Sequence, residues 1–177
     1  MSRRDFLRIT IASMVAAASP LALGSRYYGS LWLKRDDSEL RLNYLDQAGN
    51  LDAQNYKAAC WMLRDVQLNK IGYVSLRLLE TVSWMQAYLI QHNVQRPFLV
   101  HSGLRMPSTN KKVEGARSSM HLPDDKGFFR AMDISMDGVD SKYLGALAAY
   151  AHQGGIGFYP GRRFIHVDTG TIRYWKG

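Results

Sequence analysis

The last 23 residues constrain the fold most. "GIGFY", "RFIHVDT" and "TIRYWKG" are three short runs parted by "PGR" and "GT". Each is too short for a stable helix and is rich in the β-branched and aromatic residues that suit a pleated surface. A chain that ends this way needs a sheet at its C-terminus and something to cover one face of it. The cover comes earlier. "AQNYKAACWMLRDV" (53–66) has Tyr56, Cys60 and Leu63 at helical spacing. Residues 75–92 repeat Leu78, Leu79, Val82, Met85 and Leu89 at three and four, with Ser75 as the expected N-cap. "SKYLGALAAYAHQ" (141–153) is a third helix, while "ELRLNYLD" (39–46), "RPFLVHS" (96–102) and "FFRAMDIS" read as strands. Helices that mostly precede a closing meander predict an α+β domain: one antiparallel sheet packed with about three helices.

With 177 residues and an apolar fraction of 46%, the chain forms one domain with a real core. Its first 24 residues stand apart. "MSRRDFLRITIASMVAAASPLALGS" opens on paired arginines, continues as an apolar segment and ends in small residues, the plan of an export signal cleaved near Gly24. Arg3 and Arg4 followed by Phe6-Leu7 look like a twin-arginine signal, with Arg8 where Lys is usual. Left uncleaved, the same segment is an N-terminal anchor, and membrane contact is expected only in that case. Residues 25–38 are polar and mixed and read as a linker, which leaves residues 39–177 as the domain. Both readings of the signal place the domain outside the cytoplasm, in a periplasm.

The formal net charge is +8, of which the signal carries +2. A basic surface suits nucleic acid, anionic lipid or an acidic polymer. Export argues against nucleic acid, and the basic residues are scattered without a recognised motif. Peptidoglycan, with carboxylates on its stem peptides, suits both the location and the sign. Cys60 is the sole cysteine, so no internal disulfide forms, and its helical setting reads as a buried apolar thiol, not a metal ligand.

Three polar residues sit in unusual settings. His121 follows a Ser-rich stretch, Asp133 lies inside the apolar "AMDIS", and His166 lies on "FIHVD" near the end. A carboxylate in a half-buried strand needs a partner or a metal. Two His and one Asp suit Zn²⁺ and leave a fourth position for water. The same residues also read as hydrogen-bonded structural groups, and spacing alone leaves both readings open.

"SGLRMPSTN", "SSMH…AMDIS" and "GGIGFYPGRRFIHVDTGTIRYW" together resemble the zinc D,D-peptidases of the His-Asp-His type, and within them the murein endopeptidase K-like branch. The resemblance covers about residues 39–177 and is strongest at the C-terminal end. It implies the fold shared by D-alanyl-D-alanine peptidases and the hedgehog signalling domain. It implies one Zn²⁺ per chain held by His121, Asp133 and His166, with Ser119 and Arg105 at the substrate cleft and murein stem peptides as substrate. Arg105 is expected to clamp a substrate carboxylate or a developing oxyanion. The implied activity is hydrolysis of peptidoglycan cross-links by an exported metallopeptidase; the alternative is a catalytically weak, zinc-containing peptidoglycan-binding module.

The chain departs from the family pattern twice. Eleven residues separate His121 from Asp133 where six are usual, and "PDDKG" reads as an inserted turn on the cleft rim. The alternative makes Asp124 or Asp125 the ligand in place of Asp133. Second, distant relatives carry a Glu or His two or three residues before the last ligand, where this chain has Phe164 and Arg163. Asp168 shares a strand face with His166 and takes over one of two roles: general base, or a carboxylate that orients a histidine.

Overall fold

The computed structural model describes residues 29–177, and the expected signal, residues 1–24, lies outside them. In chain order the elements are β1 (Ser30–Arg35), β2 (Ser38–Asn43), α1 (Ala53–Met62), β3 (Tyr73–Val74), α2 (Leu76–Gln91), β4 (Phe98–Ser102) and α3 (Pro107–Lys112). They continue with β5 (Phe128–Phe129), β6 (Ala131–Ser135), α4 (Ser141–Ala151), β7 (Gly155–Tyr159), β8 (Phe164–Asp168) and β9 (Arg173–Lys176). Seven strands form one sheet in the order β2-β1-β4-β6-β8-β7-β9, and β3 pairs with β5 in a small second sheet.

The α+β class is as expected, but the large sheet is mixed. β1 runs parallel to β4 and β7 parallel to β9. Both exceptions have a topological cause. The segment between β1 and β4 contains two helices, long enough for the crossover that parallel pairing requires. At the other end, β8 is already flanked by β6 and β7. The chain leaving β8 therefore passes over β7 and pairs with its free edge, so the closing segment is not a simple meander.

The linker reading of residues 25–38 is corrected for its described part: β1 begins at Ser30 and lies inside the sheet. Leu31 and Leu33 point into the core and are fully buried. Buried Gln86 of α2 ties β1 down, its Oε1 accepting from Trp32 N at 2.6 Å and its Nε2 donating to Trp32 O at 2.8 Å. Two short charged side chains cap helices. Asp52 accepts from the amides of Gln54 and Asn55 at the start of α1, and Asp140 from that of Lys142 at the start of α4. Ser75 precedes α2 as expected but makes no side-chain cap bond. The core joins Leu78, Val82, Met85 and Leu89 of α2 to Phe98 of β4, Met132 and Ile134 of β6 and Ile165 and Val167 of β8. Each such side chain contributes about 1.5–3 kcal/mol on burial. Cys60 is a buried free thiol in that core. No helix among the described residues is long and apolar enough to cross a membrane.

The alternation that buries Met132 and Ile134 turns Asp133 and Ser135 to the opposite sheet face. In β8 the same rule puts Ile165 and Val167 in the core and Phe164, His166 and Asp168 on that opposite face.

Candidate active site

β6 and β8 pair antiparallel with Asp133 directly opposite His166. Cross-strand neighbours on one face stand about 4.5–5.5 Å apart at Cβ, so register alone brings the two side chains together. His121 arrives from the loop after α3. That loop is pinned by the amide of Arg105 on the His121 carbonyl at 2.9 Å, and by the amide of Arg130 on the Met120 carbonyl at 2.8 Å. One donor atom from each of His121, Asp133 and His166 lies within 4.8 Å of the others. All three residues are buried, at 1%, 4% and 7% exposure.

Hydrogen bonds fix both rings. Nδ1 of His121 donates to the Gly103 carbonyl at 2.6 Å, and Nε2 of His166 donates to Oδ2 of Asp168 at 2.9 Å. In these tautomers, inferred from the acceptors on the outer edges, His121 Nε2 and His166 Nδ1 carry inward lone pairs. Each also lies within 3.1 Å of Asp133 Oδ1. Three inward lone-pair atoms around one point repel one another unless a cation sits among them. Two imidazoles and one carboxylate fit Zn²⁺, and three protein ligands leave a position open for chemistry. Asp124 does not belong to the cluster: it is exposed, accepts the amides of Lys126 and Phe128, and pairs with Arg130. The inserted turn leads into the β3–β5 pair and, among the described residues, lines no part of the cleft.

Charge within the cluster is strongly coupled. Burial works to raise the Asp133 carboxyl, but His121 and His166 outweigh it and hold it far below the usual carboxylate range. Burial pushes the His121 imidazole down, with Asp133 opposing. His166 moves the other way, because its bonds to Asp133 and Asp168 outweigh burial. Asp168 is fully buried, yet its carboxyl is lowered to about 2. His166, the Gly170 and Gly155 amides and Arg173 all donate to it, and together they outweigh the cost of burial.

The cluster opens into a cavity of about 680 Å³ whose wall includes Arg35, His101, Arg105, Ser119 and Trp175. Arg105 donates from Nε to Ser102 Oγ at 2.7 Å and pairs through Nη2 with Asp133 Oδ2. A register shift between Val100 and Ser102 bends β4 here, a common device for re-aiming side chains beside a site. Ser119 Oγ accepts the His121 amide at 3.3 Å. Trp175 packs 5.1 Å from the His166 ring and donates to Tyr159 Oη at 3.0 Å.

All six residues singled out from the sequence thus meet here, with Asp168 placed as a partner of His166. Its carboxylate sits on the ring edge that faces away from Asp133 and His121, and its two oxygens bind five donor groups. The orienting role fits this position; a base at the open side of the cluster does not.

Residues 31–175 match the family described as peptidoglycan L,D-endopeptidase MepK. The chain belongs to that family. Peptidoglycan L,D-endopeptidase MepK of Escherichia coli strain K12 is 31% identical over 117 residues, 63% of this chain and 60% of that protein. A probable peptidoglycan L,D-endopeptidase MepK of Haemophilus influenzae is 29% identical over 180 residues, 95% of this chain and 86% of the relative. The match thus spans less than two thirds of the length of the Escherichia coli relative. The family match begins within β1, in agreement with that strand's place in the sheet.

Sequence reading missed three participants and held His101, with His152, only as a reserve candidate for the base. The Gly103 carbonyl has no side-chain signature. Arg173, bound to Asp168, was legible only as a charge on the last strand. Arg35 lay in the segment taken for a linker. His101 lines the cleft with Nε2 against Ser135 Oγ at 2.7 Å. Burial lowers its pKa, Asp133 opposes this, and Arg35 lowers it further, so the ring is held below its usual value.

Proposed function

We propose that this chain is an exported zinc metallopeptidase that hydrolyses peptide cross-links of peptidoglycan, with the L,D bond as its substrate. The observation that carries the reading is the convergence of His121 Nε2, Asp133 Oδ1 and His166 Nδ1, with both outer ring nitrogens bound to fixed acceptors. Family membership and the names of the relatives support the substrate class. The basic charge supports it too, and the twin-arginine pattern of residues 1–24 supports export to a periplasm.

His121, Asp133 and His166 would hold the metal. Zinc bound there supplies Lewis-acid chemistry, polarising a peptide carbonyl and bringing the pKa of water towards about 7. The chain's own residues do the rest. Asp168 keeps His166 in the tautomer whose Nδ1 faces inward. His101 lines the cleft with Nε2 against Ser135 Oγ; in the tautomer that donates Nε2–H, its Nδ1 keeps a lone pair that would take the proton of the attacking water and return it to the leaving amine. Arg105 turns its guanidinium towards the negative charge that develops on the scissile carbonyl. Ser119 shapes the cleft floor by holding the His121 amide.

Mass spectrometry of defined L,D- and D,D-cross-linked muropeptide dimers, incubated with zinc-loaded protein and with a His166→Ala control, tests the proposal. Release of monomers from the L,D dimer by the native protein alone is expected. Faster cleavage of the D,D dimer overturns the bond assignment. Tight binding with both dimers intact selects the binding-module reading instead.

A further inference from the structure

Arg35 is the last residue of β1 and lies in the wall of the same cavity as the His-Asp-His cluster. Leu33 and Leu31, two and four residues earlier in β1, are fully buried, and Arg35 ends the strand half-buried. A half-buried guanidinium in such a position is ordinarily paired with a carboxylate. Here it is held by neutral oxygens: Nη1 donates to the Met62 carbonyl at 3.2 Å and to the Arg64 carbonyl at 2.8 Å. Met62 ends α1, so its carbonyl belongs to the negative end of a helix, which suits a cation. These bonds fix the direction of the guanidinium; Asp36 and Asp65 act on its charge from a distance, but neither forms an ion pair with it.

Of the other charges of the cavity, exposed Arg162 and Glu114 form no ion pair among the described residues, and the more buried ones are already engaged. Arg105 is paired with Asp133, and Arg173 with Asp168. Asp65 accepts the amides of Gln67, Leu68 and Met106. Among the described residues no carboxylate forms an ion pair with Arg35. Both of its recorded bonds use Nη1, so the Nε–H and Nη2–H edge has no partner among the described residues. That edge forms the planar fork that matches a carboxylate with two parallel bonds.

The geometry points to Arg35 as a carboxylate-anchoring subsite: a fixed cation that grips a free carboxylate of the substrate peptide, separate from the residues that act on the scissile bond. The inference rests on the peptidase reading above and adds a specificity to it. Substrates with a free acid in this position are favoured over amidated ones.

The test reads binding, so that it stands apart from turnover. Full-length, zinc-loaded protein is titrated calorimetrically with the tripeptide L-Ala-D-Glu-diaminopimelate, as the free acid and with its carboxyls amidated. Cleavage of cross-linked dimers is followed in parallel. The acid is expected to bind roughly 10- to 100-fold more tightly than the amide, the range for a charge-assisted bond. Arg35→Met should bring the acid down to the affinity of the amide and leave the amide unchanged. Equal binding of both peptides by the native protein overturns the proposal. So does an Arg35→Met protein that keeps its preference for the acid, or one that loses both peptides alike. Should Arg35→Met fail to fold, Arg35→Lys carries the test: charge retained and fork lost, it should show a reduced preference, and an undiminished one counts against the subsite. Acid preference with every dimer left intact keeps the subsite and removes the peptidase reading.

Discussion

Asp168 Oδ2 accepts a hydrogen bond from His166 Nε2 at 2.9 Å, on the ring edge opposite the nitrogen that meets Asp133 and His121. The pair sets the tautomer of one inward-facing donor. Asp168 is in turn held by Arg173 and by the amides of Gly155 and Gly170, so the ring has little freedom to turn.

From this relationship, Asp168→Asn should weaken zinc binding about 10- to 100-fold, with much of the activity recovered in excess zinc. Metal titration against a competing chelator measures it. Normal zinc affinity with turnover down by orders of magnitude would restore Asp168 to the role of base.

His121→Ala, Asp133→Ala and His166→Ala should each lose zinc and activity together, because a site with three protein ligands has none to spare. Elemental analysis after dialysis reads occupancy directly. EDTA should inactivate the native protein and added Zn²⁺ revive it. Full occupancy in any one variant strikes that residue from the ligand set.

His101→Gln should retain zinc and lose on the order of 10²–10⁴-fold in turnover. In the native protein the acid limb of kcat/KM should lie below the ordinary imidazole value of about 6.5. The sign follows from burial and Arg35, which both disfavour the protonated ring and outweigh Asp133. Activity is thus kept as pH falls to that limb and lost below it. A His101→Gln enzyme with native kinetics would end the assignment.

Arg105→Lys should keep zinc and lose about 10- to 100-fold in kcat, since Lys preserves charge but not the fork that spans Ser102 and Asp133. Unchanged kinetics would leave Arg105 as a brace for the loop after β4.

The His-Asp-His set came from a family resemblance; what the sequence by itself determined was the α+β class, the three larger helices and the strand faces of Asp133 and His166. Those signals are local. Helical spacing marked α2, and strand alternation in "AMDIS" and "FIHVD" put the three polar residues of the site on the face away from the core. Tertiary structure decided what depends on which strands become neighbours. β8 has both edges occupied, which sends β9 to β7 and makes the sheet mixed. The β1–β4 pairing and the bonds from Gln86 turn an expected linker into a strand, and so carry Arg35 to the cleft. The role of Asp168 was open for the same reason. Two residues on one strand face share a side of the sheet, but which edge of His166 the carboxylate meets depends on Gly155, Gly170 and Arg173, groups that the fold brings in from beyond β8.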